Sequence, residues 1–275
     1  MRFATIRTDY GTSAARLDGD VLIPLAAADV GELLSEGGVT PEREGSRPVP
    51  AVEADFAPVI PRPDKVICVG LNYRAHIIET GRELPEYPTL FAKFADTLLG
   101  ARDDLVLPSV SDRADWEVEL GVIIGRRIHR ATSEVAAAAI AGYTVINDVS
   151  IRDWQHRTLQ WLQGKAFEHT TPAGPYLVTP DEVGNAADLE VRCEVDGVVM
   201  QQSRTSDLLF GPAQIAAYAS QVITLKPGDL IATGTPGGIG NARKPPIYLR
   251  PGNVMRTWID GLGECLNRCV AEEDG

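Results

Sequence analysis

Two glutamates stand two residues apart in a segment that is otherwise typical of a buried strand. The segment is WEVELGVIIG, residues 116–125, and the glutamates are Glu117 and Glu119. Alternate residues of a strand point the same way, so both carboxylates share one face. Burying two unpaired charges together is costly, so either this face is in solvent or a positive group lies between them. A bound metal ion becomes the stronger explanation only if further ligands follow in the chain.

A third carboxylate follows in YTVINDVSIRDWQ, where Asp148 ends an apolar strand. Asn147-Asp148 can also be a simple turn or the cap of the next helix. Beside Glu117 and Glu119, however, Asp148 completes a set of three carboxylates on the rim of one sheet. Carboxylates without a cysteine or paired-histidine pattern suit a hard divalent ion, Mg²⁺ or Mn²⁺.

His76 and Glu79 form a possible acid–base pair in GLNYRAHIIETG, residues 70–81. Residues three apart lie on the same face of a helix. A histidine held by a carboxylate can take a proton from water at neutral pH. An exposed helix with two polar residues explains the same spacing. The glycines at both ends suit a segment that closes on a substrate.

Five side chains are candidate donors to a substrate carboxylate or a developing oxyanion, although each alone can be a surface group. They are Arg74, Lys93, Arg152, Gln155 and Lys165. The segment IATGTPGGIG, residues 231–240, lacks the lysine of a phosphate-binding loop and the strand–helix context of a dinucleotide fingerprint. It predicts a tight loop that presents backbone N–H groups and the Thr235 hydroxyl to a small anion.

The chain as a whole has 275 residues, a net charge of −12 and a pI of about 4.8. This acidity argues against nucleic acid and anionic membranes as partners. A small anionic substrate remains compatible, because a local metal ion can override the global charge. No apolar stretch is long enough to span a bilayer, and the four cysteines lack zinc-like spacing. These features predict reduced cysteines and a cytoplasmic protein.

The predicted elements divide the chain in two. Residues 1–60 read as a small accessory domain with two strand segments and a helix over 29–37. Its last part belongs to a segment over 41–63 that has the composition of a connector. Residues 61–275 form a second, β-rich domain with helices at its edge. Its first predicted strand is KVICVGLNY, which starts at Lys65. The further predicted strands are 90–94, 104–107, 116–124, 142–148, 175–178, 189–195, 230–233, 247–249, 254–259 and 265–270. Its predicted helices are 72–80, 132–140, 151–160 and 206–223.

Together these segments resemble the fumarylacetoacetate hydrolase family. The matching stretches run in order from about residue 64 to 270 and include VGLNYRAHIIE, DWEVELGVIIGRR, AGYTVINDVSIRDWQ, GKAFEHTTPAGPYLVT and TGTPGGIG. The resemblance implies a mainly β, α+β fold: a mixed β-sandwich roll as catalytic domain, with a small N-terminal domain. It also implies a homodimer.

The resemblance assigns roles position by position. Glu117, Glu119 and Asp148 match metal ligands, and His76 with Glu79 matches a dyad that activates water. The residues that match contacts to metal-bound substrate are Arg152, Gln155, Lys165 and Thr235. The segment 166–170 departs from the family pattern after the lysine, and Phe94 stands where many relatives have proline. Both departures concern the substrate rather than the metal site.

The expected reaction is metal-dependent hydrolysis of a C–C bond in a 2,4-dioxo acid of the acylpyruvate or fumarylpyruvate type. His76 with Glu79 would activate water, Lys165 or Gln155 would stabilise the oxyanion, and a pyruvate enolate would leave. Decarboxylation of oxaloacetate, and isomerisation or decarboxylation of a homoprotocatechuate-pathway intermediate, need the same enolate but no attacking water. The presence of both dyad residues favours hydrolysis. The alternative without catalysis is a silent metal-binding subunit, a binding module or dimerising subunit whose metal site would be vestigial.

Overall fold

The structure of the chain is a computed structural model that describes residues 1–38, 41–79, 81 and 83–273, with the side chains of His76 and Glu79 outside the described part. The strands are β1 Arg2–Thr8, β2 Gly11–Asp18, β3 Val21–Pro24, β4 Val49–Pro50, β5 Val66–Gly70, β6 Thr89–Lys93, β7 Leu98–Leu99, β8 Leu105–Leu107, β9 Ala114–Asp115, β10 Val118–Ile124, β11 Ile140–Asn147, β12 Ser150–Ile151, β13 Thr171–Val178, β14 Glu190–Val195, β15 Val198–Arg204, β16 Leu230–Ala232, β17 Val254–Ile259 and β18 Gly263–Ala271. The helices are α1 Val30–Ser35, α2 Arg74–Glu79, α3 Ser133–Ala137, α4 Arg152–Gln155, α5 Leu162–Lys165, α6 Pro180–Val183 and α7 Pro212–Val222. The predicted fold class, mainly β with flanking helices, is confirmed.

A large mixed sheet carries the strands on which the carboxylates were predicted. Its order is β4-β3-β2-β1-β13-β11-β10-β16-β5-β6. Every residue of β10 is buried, as expected for a central strand covered on both faces. β10 and β11 are antiparallel, with Val118 opposite Asn147. The start of β10 therefore lies beside the end of β11, which brings the residues around these two positions to one edge.

A second sheet, in the order β15-β14-β17-β18-β8, packs against the first. Apolar residues of both sheets meet in one buried cluster that includes Val118, Val145, Val191 and Met255. Removing this apolar surface from water is the main stabilising contribution to such a two-layer domain.

The N-terminal residues continue the large sheet. β1 pairs with β13, with Phe3 opposite Leu177, and Thr179 donates its backbone N–H to the Met1 carbonyl. Side chains from this part, such as Leu33, share a buried cluster with Val66 of β5. A domain boundary at residue 60 stays a prediction, and here it would cross a continuous sheet.

Three of the differences between the predicted elements and the structure have a clear local description. The helix predicted over 206–223 begins at Pro212, because the preceding Thr205–Asp207 is a 3₁₀ turn and proline favours the first helical position. The helix predicted over 151–160 ends at Gln155. The strand predicted over 247–249 is not formed, since Leu249 N–H bonds to the Ala114 carbonyl in an irregular segment.

No helix in the part of the chain that the structure describes has the length and apolar character needed to cross a membrane.

Candidate active site

The three predicted carboxylates meet at the edge where β10 begins and β11 ends. Asp148 N–H donates to the Glu117 carbonyl at 2.8 Å, which ties the two strand ends together. One oxygen from each of Glu117, Glu119 and Asp148 lies within 4.8 Å of the others. Glu117 is 7% exposed, Glu119 1% and Asp148 0%. The group is therefore buried, which excludes the explanation that the two glutamates face solvent.

Three cationic side chains surround two of these carboxylates. Lys165 Nζ lies 2.6 Å from Glu117 Oε2 and 2.7 Å from Asp148 Oδ2. Lys93 Nζ lies 2.7 Å from Asp148 Oδ1, and Arg152 Nη2 lies 2.6 Å from Glu117 Oε1. Burial alone would raise the pKa of Asp148, but the two ammonium groups hold it below its ordinary value.

Glu119 is the exception, since no ion pair to it is found among the described residues. Its Oε2 accepts a hydrogen bond from the backbone N–H of Gly234 at 2.7 Å. Burial, followed by the charges of Asp148 and Glu117, raises the pKa of Glu119 well above its ordinary value. A buried carboxyl group with a neutral donor as its partner is short of positive charge.

Gly234 can reach Glu119 because it has no side chain. Its φ is +99°, and a Cβ at this position would lie 2.9 Å from Asn72 Cβ. The glycine-rich loop therefore gives this N–H to a carboxylate of its own chain, and not to the free anion that the sequence predicts.

A fourth carboxylate, Asp115 of β9, organises the other side of the group and was missed from the sequence. It accepts hydrogen bonds from Arg152 Nε at 2.8 Å, from Gly240 N–H at 2.6 Å and from Asn241 N–H at 2.9 Å. Asp115 is fully buried. Its position two residues before Glu117 was a signal that could have identified it, because the three acids alternate along the segment.

A cavity of about 380 Å³ opens beside the carboxylates. Its lining includes the predicted residues Glu117, Glu119, Arg152, Gln155, Lys165 and Thr235. Gln155 Oε1 accepts from Arg152 Nη1 at 2.9 Å, which leaves the amide nitrogen as its donor end. Thr235 Oγ1 donates to the Val118 carbonyl at 3.0 Å and accepts from Gln201 Nε2 at 2.8 Å. Phe91, His156 and Trp161 also line the cavity and were not predicted.

Lys93 and Arg74, both predicted to bind substrate, do not line this cavity. The Lys93 side chain is fully buried, and its ammonium group contacts Asp148 and the Val149 carbonyl. It therefore orients the Asp148 carboxylate without lining the cavity. The Arg74 guanidinium donates to the carbonyls of Leu208 and Leu209. It lines a different cavity, of about 640 Å³, in which none of the three carboxylates takes part.

The predicted dyad lies on α2, whose first turn is anchored from a distant segment. Ala75 N–H donates to Asp207 Oδ2 at 3.1 Å, and Asn72 Nδ2 donates to the Thr233 carbonyl at 2.7 Å. The side chains of His76 and Glu79 lie outside the described residues, so their role stays a prediction.

The sequence departures noted after Lys165 and at Phe94 do not reach the cavity. Glu168 and His169 are exposed and line a separate surface pocket, and Phe94 is 52% exposed. The expectation that they alter the substrate site is therefore not supported by their positions.

Comparison with known proteins identifies the family of the chain. Residues 65–270 match the model of the fumarylacetoacetate (FAA) hydrolase C-terminal domain. The chain belongs to the fumarylacetoacetate hydrolase family. The family resemblance drawn from the sequence is thereby confirmed, and the match spans the β-rich part that carries the carboxylates.

Three similar members of the fumarylacetoacetate hydrolase family illustrate its range. A mitochondrial oxaloacetate tautomerase of Bos taurus is 44% identical over 224 residues, which are 81% of this chain and 71% of the relative. A 2,4-didehydro-3-deoxy-L-rhamnonate hydrolase of Sphingomonas sp. (strain SKA58) is 45% identical over 201 residues, 72% of this chain and 70% of the relative. The solved structure of 2-hydroxyhepta-2,4-diene-1,7-dioate isomerase from Mycobacterium marinum has a TM-score of 0.84 at 31% identity and covers both chains fully.

Proposed function

We propose that the protein is a divalent-metal-dependent hydrolase that cleaves a C–C bond of a small 2,4-dioxo acid. The observation that carries this proposal is the buried group of Glu117, Glu119 and Asp148 at the wall of a cavity. Carboxylate oxygens are ligands for hard ions such as Mg²⁺ and Mn²⁺.

The residues present fit such an ion. Glu117 and Asp148 have cationic partners, whereas Glu119 has a backbone N–H and a raised pKa. A cation next to Glu119 would supply the charge that this buried carboxyl lacks. When bound, the ion supplies positive charge that polarises a substrate carbonyl and stabilises negative charge developing next to it.

The chain's own residues account for the other requirements of hydrolysis. Water and a 2,4-dioxo acid give a carboxylic acid and pyruvate, so one proton must leave the water and one must reach the departing carbon. His76, oriented by Glu79, is the predicted acceptor of the water proton. Lys165 and the amide nitrogen of Gln155 line the cavity, where they can donate to the oxyanion of the attacked carbonyl.

The Sphingomonas relative supports hydrolysis. Its name describes an acid with carbonyl carbons at positions 2 and 4 and a deoxy carbon between them. That pattern is the one required here, because the methylene between two carbonyls is acidic and its carbanion is a good leaving group.

Oxaloacetate tautomerisation is the second candidate, and the name of the Bos taurus relative favours it. This reaction moves a proton between C3 and the C2 oxygen and consumes no water. It needs the same stabilised negative charge as hydrolysis but no base for water. Oxaloacetate decarboxylation and the isomerisation of a 2-hydroxy diene diacid share that requirement, and the latter agrees with the name of the Mycobacterium marinum structure.

The deciding experiment offers acetylpyruvate and oxaloacetate to metal-stripped protein with added Mg²⁺ or Mn²⁺. Release of acetate and pyruvate in equal amounts from acetylpyruvate is the expected result. Faster decay of enol oxaloacetate than in a protein-free blank, without pyruvate, would identify a tautomerase. Pyruvate from oxaloacetate alone would identify a decarboxylase.

A variant separates the role of the dyad from that of the metal. His76→Ala should abolish acetylpyruvate cleavage while leaving the metal-dependent rise in Tm intact. Persistent cleavage in this variant would contradict water activation by His76. No turnover and no metal-dependent change in Tm in the unmodified protein would instead favour a silent subunit.

A homodimer and a cytoplasmic location complete the proposal. The four cysteines are free and buried, which agrees with a reducing compartment. The name of the Bos taurus relative gives a mitochondrial location, so the compartment of this chain has to be tested directly. Sedimentation of the purified chain at two concentrations tests the dimer.

A further inference from the structure

The part of the cavity beyond Lys165 is apolar and aromatic. Lys165 Nζ lies 5.1 Å from the centroid of the Phe91 ring, and Phe91 packs edge-on against Trp161 with centroids 5.5 Å apart. The contacts therefore lead from the carboxylates through Lys165 to Phe91 and then to Trp161. Leu71 and Ile239 also line this cavity.

The apolar surface at this end is incompletely covered. Phe91, Trp161, Leu71 and Ile239 are each half-buried, whereas every residue of the central strand β10 is buried. Half-buried aromatic rings around a cavity are the usual contact surface for the apolar part of a small ligand. A volume of about 380 Å³ lies near the lower end of the range for small-molecule sites, which favours a short ligand.

The Trp161 ring occupies the space that a side chain at position 70 would fill, which is free because residue 70 is glycine. A Cβ at Gly70 would lie 2.4 Å from the Trp161 ring. The ring thus lies directly on the backbone at the end of β5. The position of this wall depends on the pair Gly70 and Trp161, and either residue can be changed to move it.

The two cationic side chains among the described lining residues already have ion-pair partners. Arg152 is paired with Asp115 and Glu117, and Lys165 with Glu117 and Asp148. The other polar residues of the described lining are Gln155, His156, Thr235 and Asn241. Burial and the charge of Arg152 lower the pKa of His156, which keeps its imidazole neutral at neutral pH. A second carboxylate on the substrate would therefore find no unpaired cation among these described lining residues.

We propose that Trp161, supported by Phe91, is the specificity-determining wall of the site and selects a substrate whose acyl group is short and uncharged. This inference rests on the proposed function and names its substrate class: a monocarboxylic 2,4-dioxo acid with a small neutral acyl group. The 2-oxo acid end would lie at the carboxylate group, and the acyl group would contact the Trp161 ring.

The test compares kcat/KM for acetylpyruvate, pentanoylpyruvate and fumarylpyruvate, whose acyl groups are short and neutral, longer and neutral, and charged. The unmodified protein should prefer acetylpyruvate to fumarylpyruvate by at least about tenfold, since hydrophobic pockets discriminate by such factors. Trp161→Ala should raise the ratio of kcat/KM for pentanoylpyruvate to kcat/KM for acetylpyruvate by about tenfold. The ratio of two substrates in one protein sample is insensitive to the fraction folded.

Two further variants make the result specific. Gly70→Ala should push the Trp161 ring into the cavity. It should therefore raise KM more for pentanoylpyruvate than for acetylpyruvate, while the metal-dependent rise in Tm persists. Trp258→Ala removes a tryptophan that lies near Arg192, outside the cavity lining, and should leave both ratios unchanged.

The failures of the inference and of the proposed function give different results. If the unmodified protein cleaves the dioxo acids but Trp161→Ala changes neither ratio, the wall proposal is overturned and hydrolysis stands. Preference of the unmodified protein for fumarylpyruvate would contradict the proposal that the acyl group of the substrate is uncharged. If none of the three acids is cleaved, the proposed function fails, and this inference fails with it.

Discussion

Lys165 bridges Asp148 and Glu117: its ammonium group lies 2.7 Å from one carboxylate and 2.6 Å from the other. The Lys165 side chain is 2% exposed, so these interactions are poorly screened by water. The opposite charges raise the pKa of Lys165 against the effect of its burial, which keeps the group charged. A single lysine thus compensates much of the repulsion within the carboxylate group.

Replacing this lysine should destabilise the metal-free protein strongly. Lys165→Met leaves two buried carboxylates with less compensation, and removing one member of a buried ion pair costs about 3–5 kcal/mol. The free energy of unfolding, measured with denaturant in the presence of a chelator, should fall by that order. Added Mn²⁺ should recover more stability in the variant than in the unmodified protein, because the ion supplies part of the missing charge.

A matched lysine provides the control for that measurement. Lys226 pairs with Asp64 at 2.7 Å, but both side chains are more than half exposed. Lys226→Met should leave the free energy of unfolding nearly unchanged, since exposed pairs contribute little. Equal losses for the two variants would contradict the role given to burial at Lys165.

Glu119→Gln should remove metal binding while sparing the fold. The amide keeps an oxygen that can accept the Gly234 N–H, but it carries no charge for an ion. The variant should lose both metal-dependent turnover and the metal-dependent rise in Tm. The exposed Glu168→Gln is the control and should keep both. Turnover that survives in Glu119→Gln would contradict the three-carboxylate site.

The same substitution should change how stability depends on pH in the metal-free protein. The pKa of Glu119 is raised in the folded state, so the folded chain binds this proton more tightly than the unfolded chain. Stability is therefore lost as pH rises from the ordinary carboxyl pKa towards the raised one. Denaturant unfolding across this range should show a smaller loss for Glu119→Gln, and equal slopes would contradict the raised pKa.

Asp115→Asn should impair turnover without removing the metal. The amide NH₂ would face donors in either orientation: Arg152 Nε and the Asn241 N–H at the position of Oδ2, or the Gly240 N–H at the position of Oδ1. Hydrogen bonds to charged groups contribute about 1.5–3 kcal/mol, so kcat/KM should fall about 10- to 100-fold. The Mn²⁺-dependent rise in Tm should persist, because Asp115 is not in the carboxylate group. Asp112→Asn, at an 81% exposed side chain, should change neither quantity.

The sequence predicts the site where local rules decide it. Strand alternation places Glu117 and Glu119 on one face, and Asp148 follows directly on the end of an apolar strand. The register that joins them, Val118 opposite Asn147, depends on pairing between strands and is not visible in either segment. The family resemblance supplied that missing link.

Features that the sequence did not indicate depend largely on contacts between distant segments. Arg74 donates to carbonyl groups more than 130 residues away in the chain, a contact that its local sequence does not indicate. β15 was missed although Asp196-Gly197, both with positive φ, is a strong hairpin signal. Trp161 gains its role from a ring packed on Gly70, a contact that no local pattern encodes.

Gly234→Ala should be more harmful than glycine replacement at an otherwise similar position. Gly234 and Gly252 have φ of +99° and +95°, so alanine is strained at both, at a cost of about 1–2 kcal/mol. Gly252 has nothing within 4 Å of an added Cβ, whereas at Gly234 that atom would meet Asn72 at 2.9 Å. Shifting the loop would also move the N–H that binds Glu119. Gly234→Ala should therefore lose more unfolding free energy than Gly252→Ala and, unlike it, lose turnover. Equal losses of stability with turnover retained in both would show that backbone strain alone explains this glycine.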